Sequence, residues 1–125
     1  MEDNRKNLVV IVAGYTEEMI KFIESNPGLK SRFNKYIEFP DYSLDELEQI
    51  FNNMCKEYDY ILSDDANEII HKKIEAITLN KTKNFANARE VRNYFENVIT
   101  TQASRVSNAG CLDKKFMMTI TSEDM

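Results

Sequence analysis

The sequence predicts a mixed, mainly α chain: a strand–helix–strand piece of an α/β domain over residues 1–40, followed by a helical bundle over residues 41–125. Three observations predict it. Leu8-Val9-Val10-Ile11-Val12-Ala13 is an unbroken apolar run rich in β-branched residues, the pattern of a strand covered on both faces. After Pro40-Asp41 the pattern changes to apolar residues at helical spacing, repeated in three stretches. No internal repeat or low-complexity stretch interrupts either half.

Gly14 ends the first run, and Thr16 is placed to cap a short helix through Ser25, with Met19, Ile20, Phe22 and Ile23 as its apolar face. Asn26-Pro27-Gly28 predicts a turn, because proline lacks a donor and glycine tolerates positive φ. Tyr36-Ile37-Glu38-Phe39 reads as a second, shorter strand closed by Pro40. Ser43-Leu44-Asp45-Glu46 then fits a capping box, and Leu44, Leu47, Ile50, Phe51 and Met54 mark the buried face of the helix it starts. Ser63 or Asp64 caps a second helix with Ala66, Ile69, Ile70, Ile74 and Ile77 inside. A third begins near Asn87, buries Val91, Tyr94, Phe95, Val98 and Ile99, and ends before Gly110. Phe116 to Thr121 is apolar and β-prone, suited to a terminal strand or a docking segment.

Composition removes several function classes. The longest apolar run falls far short of the roughly 20 residues of a membrane helix, and its flanks, with Glu2 and Asp3 before it and Glu17-Glu18 after, do not suit a signal peptide. A net charge of −5 opposes general binding to nucleic acid. Three successive helices without a basic recognition face make a poor helix-turn-helix DNA binder. Cys55 and Cys111 form no CxxC pair, and with His71 as the single histidine there are too few ligands for zinc. Two ordinary thiols of a reducing cytoplasm are expected.

Three segments stand out together: Val10-Ile11-Val12-Ala13-Gly14-Tyr15, Asn26-Pro27-Gly28-Leu29-Lys30-Ser31-Arg32-Phe33, and Asn87-Ala88-Arg89-Glu90-Val91-Arg92-Asn93. In this order and spacing they resemble the AAA+ ATPase subfamily of stage V sporulation protein K and red-type Rubisco activase. Met1-Glu2-Asp3-Asn4-Arg5 is similar to the end of the helix before the fourth core strand, and Phe39-Pro40-Asp41-Tyr42 to the passage into the lid. The resemblance implies that residues 1–40 are the C-terminal part of an incomplete AAA+ α/β core and residues 41–125 its helical lid. It implies a parent that assembles as a ring of its own subunits, expected to be a hexamer, and uses ATP with Mg2+ to remodel a client protein.

The same resemblance implies roles for single residues. Arg32 is similar to the arginine finger, which reaches into a neighbour's ATP site. A permanently charged planar donor suits the charge spread over the γ-phosphoryl oxygens. Composition alone would make Arg32 a solvated residue beside Lys30. Arg89 is similar to sensor 2, which touches the phosphates of its own subunit from the start of a lid helix, where free backbone N–H groups also favour an anion. Ala86 stands where the family usually has glycine. Arg92 reads instead as a surface partner of Glu96 at i,i+4. The sensor 1 position falls at the tip of the first strand, on Tyr15 or Thr16.

The sequence contains no G-x-x-x-x-G-K-[ST] loop and no apolar strand ending in Asp-Glu, so the phosphate cradle, magnesium ligand and catalytic acid are expected to lie elsewhere. These residues alone are expected neither to hydrolyse ATP nor to bind a cofactor tightly. The resemblance implies that strands 8–13 and 36–39 flank, in the AAA+ sheet, a strand that is missing here, so residues 1–40 are expected to rearrange, swap between chains or rely on a partner polypeptide. The competing expectation is a non-enzymatic helical interaction module that starts at Met1 and docks through residues 8–23.

Overall fold

The computed structural model describes residues 7–80 and 87–125. Met1–Pro40 and Asp41–Met125 form two compact units. The expected helix end at residues 1–5 and the Ala86 substitution lie outside the described residues.

The first unit corrects both expected strands. Residues 8–15 and 33–40 belong to no helix or sheet, and the apolar run is open to solvent, with Val9 84% and Ile11 86% exposed. Ile37 and Phe39 are equally bare, at 78% and 88%. A strand needs a neighbour to take its N–H and C=O groups, and β-branched composition cannot supply one. What forms instead is a pair of short helices, α1 (Thr16–Glu24) and α2 (Pro27–Arg32). Tyr15, not Thr16, is the N-cap of α1, and no side chain caps it. Of its apolar face only Ile23 is buried, and the Phe22 ring meets Phe33 with centroids 6.5 Å apart. The predicted turn at Asn26-Pro27-Gly28 is a helix start: the Asn26 side chain accepts from the Gly28 N–H at 2.9 Å, and Pro27 occupies the first helical position, where its missing donor costs nothing.

The second unit is a three-helix bundle closed by its C-terminal segment. In α3 (Leu44–Glu57) the capping box is complete: Ser43 Oγ accepts from the Glu46 N–H, and Glu46 accepts from the Ser43 N–H at 2.8 Å. At the other end the Tyr60 N–H reaches Cys55 O at 2.8 Å and the Asp59 N–H reaches Lys56 O at 3.2 Å, a Schellman motif with Asp59 in the left-handed region at φ 59°. Helix α4 (Asp64–Leu79) follows, with Ser63 as N-cap; the Ser63 hydroxyl turns to Asp65 rather than to a backbone N–H. Helix α5 (Asn87–Ala109) is 23 residues long and ends at Gly110, whose φ of 62° again gives a left-handed helix end.

The core lies between these helices. Leu47 and Phe51 from α3, Ile74 from α4 and Val91 from α5 have no exposed surface. The Phe51 ring meets Phe95 edge-on, centroids 5.6 Å apart, an arrangement worth roughly 0.5–1.5 kcal/mol beyond its area. The segment expected as a strand from Phe116 to Thr121 divides. Asp113 caps a short helix, α6 (Lys114–Met118), by accepting from the Phe116 N–H. Only Thr119–Ile120 forms a strand, β2, parallel to β1 (Ile61–Leu62). Ile120 is fully buried against the bundle.

A charged clamp holds that segment in place. Arg105 of α5 grips Asp124 side-on, Nε to Oδ1 at 2.7 Å and Nη2 to Oδ2 at 2.9 Å, and its Nη2 also donates to Thr119 O. The guanidinium carbon sits 5.1 Å from the Phe116 ring centroid. Asp124 is 1% exposed and accepts in addition from the Thr121 N–H at 2.8 Å.

Candidate functional site

Arg89 is the third residue of α5, in the first turn of a helix whose next apolar positions, Val91 and Phe95, are sunk in the core. Its side chain is exposed. A buried stripe beginning two residues later fixes the helix axis, so the first-turn N–H groups, which have no partner within the helix, and Arg89 share one end of the bundle. Both are suited to an anion with several oxygens. Asn87 opens the turn at φ 31°, and its Nδ2 donates to Asp41 Oδ1 at 3.2 Å. Arg92 is exposed, and the ion pair expected with Glu96 is not among those of the described residues.

Tyr15 and Thr16 adjoin at the start of α1, both exposed. Arg32 is the last residue of α2 and is exposed. Its guanidinium folds back across the helix start, so a Cβ placed on Gly28 would stand 2.8 Å from Arg32 Nη1. Glycine at position 28 therefore gives the arginine head the space it occupies. Tyr15, Thr16 and Arg32 belong to the first unit and Arg89 to the second. Within the first unit α1 and α2 pack together.

Sequence reading missed two tertiary pairs. The Asp41–Asn87 hydrogen bond joins residues 46 apart, and the Arg105–Asp124 pair joins residues 19 apart, so no local spacing announces either. A local signal marked only the Asp124 carboxylate, which accepts from the Thr121 N–H at capping-box spacing, and not its pairing with Arg105. A shallow depression on α5, lined by Ile99, Thr100, Ala103, Ser104, Ser107 and Asn108, begins ten residues beyond Arg89, about 15 Å along the helix. Among the described residues no cluster of His, Cys, Asp or Glu could hold a metal ion, and no helix is long and apolar enough to cross a membrane.

The second unit is thus a three-helix bundle with an exposed arginine at the start of its longest helix. Residues 43–125 match the family model of the AAA lid domain, and the chain belongs to that family. Over its whole length it is 40% identical to a CfxQ homolog from Galdieria sulphuraria, covering 41% of that protein. It is 42% identical to a CfxQ homolog from Pyropia yezoensis, covering 42%, and 39% identical to CbbX from Cereibacter sphaeroides, covering 40%. The chain thus spans about two-fifths of the length of the curated relatives it matches.

Proposed function

We propose that this chain supplies the lid and the subunit-interface arginine of a CbbX/CfxQ-like AAA+ ATPase, which couples ATP binding and hydrolysis to remodelling of a client protein. The observation that carries the reading is Arg89, exposed in the first turn of a helix anchored by Val91 and Phe95, within a lid-family domain. In this reading Arg89 contacts the phosphates of its own subunit as sensor 2. Arg32 acts in trans as the arginine finger, and Tyr15 or Thr16 lies near the γ-phosphate as sensor 1. ATP and Mg2+ bind to a phosphate loop and acidic residues that these 125 residues do not contain, so the chain by itself turns over no ATP. The working form is a ring of like subunits, six in number, in the cytoplasm. The stage V sporulation protein K affiliation rests on sequence resemblance alone, whereas the relatives named above carry CfxQ and CbbX names.

The test joins this chain to the phosphate-loop segment of a CbbX-type relative and measures ATPase rates. Arg32→Ala is expected to lower the rate by about 10³-fold or more, as for other trans arginines. Mixing Arg32→Ala subunits with a phosphate-loop variant should restore part of the activity, because each supplies what the other lacks. An Arg32→Ala rate within about twofold of the parent, or no recovery on mixing, refutes the assignment.

A second reading has one observation in its favour, the bare apolar side chains of Val9, Ile11, Ile37 and Phe39. A non-enzymatic interaction module would use them to dock a partner. It predicts a stable complex with that partner and no gain of ATPase activity in the joined protein.

A further inference from the structure

We infer that Asn87 is a positioning residue for Arg89, holding the first turn of α5 to Asp41 at the entrance of the lid domain; this rests on the reading of Arg89 as the phosphate contact. Asp41 is the first residue of the second unit and lies two residues before Ser43, the N-cap of α3. The Asn87 side chain donates to its carboxylate at 3.2 Å. One amide therefore ties the lead-in of α3 to the first residue of α5. The orientation of that amide is dictated by charge: a carboxylate only accepts, so the NH2 must face Asp41 and the oxygen must face away.

Two further features set Asn87 apart from a surface asparagine. Among the described residues its Oδ1 is buried without a hydrogen-bond partner, an uncommon state in folded proteins. Its φ of 31° lies in the left-handed region, which asparagine tolerates better than most residues. Strain and an unsatisfied acceptor are thus concentrated two residues before Arg89. The turn that carries the guanidinium is held by two fixtures, the Asp41 bond on one side and the buried Val91 on the other. Losing the first removes the tether that the described residues provide on the N-terminal side of the turn, and the arginine head then samples a wider arc.

A double-mutant cycle on the 125-residue chain tests this. The four proteins are the parent, Asn87→Asp, Asp41→Asn, and Asp41→Asn combined with Asn87→Asp. Asn87→Asp puts two carboxylates face to face, whereas the double variant restores donor and acceptor with their places exchanged. Any helix-cap or dipole benefit of a carboxylate at position 87 is common to both backgrounds and cancels. The readouts are amide hydrogen exchange at Val91 and Arg92, and the NMR relaxation of the Arg89 Nε–H group. Asn87→Asp is expected to speed exchange at these amides by about three- to tenfold more in the parent than in the Asp41→Asn background. Arg89 Nε–H mobility should follow the same cycle, with exchange at Val98 unchanged throughout. Equal effects of Asn87→Asp in both backgrounds overturn the tether, and coupled exchange with an unaltered Arg89 signal overturns the positioning role. Arg89→Ala, assayed in the joined ATPase, separately tests the nucleotide reading: unchanged turnover there would sink that reading while the cycle still decides the tether.

Discussion

Replacing Asp124 by alanine should destabilise the lid strongly. The carboxylate is 1% exposed and accepts two bonds from Arg105 and one from the Thr121 N–H, all between 2.7 and 2.9 Å. Breaking a buried pair by deleting one partner costs about 3–5 kcal/mol, because the other charge is left behind. The Arg105 side chain keeps 17% of its surface and still donates to Thr119 O, so water and that carbonyl recover part of the loss. The pair then accounts for about 3 kcal/mol, and the lost cap of the Thr121 turn for about 1 more. A domain of this size is stable by roughly 5–10 kcal/mol, and its melting temperature falls by about 4–8 °C per kcal/mol. Urea unfolding followed by far-UV circular dichroism should therefore show Asp124→Ala about 4 kcal/mol less stable, with an unchanged slope. Arg105→Met combined with Asp124→Leu, which removes both charges and keeps the volume, should recover most of that. A loss below about 1 kcal/mol for Asp124→Ala would show that the pair behaves as a solvated surface bridge, and the clamp argument would fail.

Other expectations follow from local geometry. Asp59→Gly should raise stability by about 0.5–1 kcal/mol in the same urea assay, because Asp59 holds a left-handed helix end where Gly110 serves at the end of α5; a destabilised variant would mean that the side chain matters more than the backbone. Under native conditions a thiol reagent should label the exposed Cys111 quickly and Cys55 only as fast as the domain opens, since Cys55 is buried and burial pushes its thiol up to about 11. Rapid labelling of both would contradict the packing of α3. Hydrogen bonds from Ser122 and then Ser63 hold the Asp65 carboxyl down at about 2, below its ordinary 3.8. A depressed folded value means that the ionised form is favoured in the native state, so its contribution is present above about pH 3.8 and is lost as pH falls toward 2. Because Asp65 is on the surface the effect is small: the melting temperature of the parent should drop slightly more than that of Asp65→Asn across that window, and parallel curves would remove the effect.

The lid was largely legible in the sequence because its signals are local. A capping box at Ser43 and Glu46, apolar residues at helical spacing through Phe51, Ile74 and Phe95, and a glycine after Ala109 each act within a few residues. Helices satisfy their own backbone, so such signals suffice to place them. The segments 8–13 and 36–39 read as strands on the same kind of evidence from composition, yet form none in the structure. A strand is completed by another stretch of chain, and nothing in its own residues states whether that stretch is present. The arginines followed the same division: spacing and resemblance singled out Arg32 and Arg89, but only the folded chain shows Arg32 lying over Gly28 or Asn87 reaching Asp41.

By itself, then, the sequence determined α3, α4 and α5, the Ser43 capping box and most of their buried faces, together with an acidic charge that opposes nucleic acid. Tertiary structure alone decided which residues meet across distance: Arg105 with Asp124, Asn87 with Asp41, and Ile61–Leu62 with Thr119–Ile120. The physical reason is range. Helix propensity, capping and periodicity are exerted by neighbours a turn apart, whereas ion pairs, sheet partners and the burial of a charge depend on segments that only the packed core of Leu47, Phe51, Ile74 and Val91 brings together.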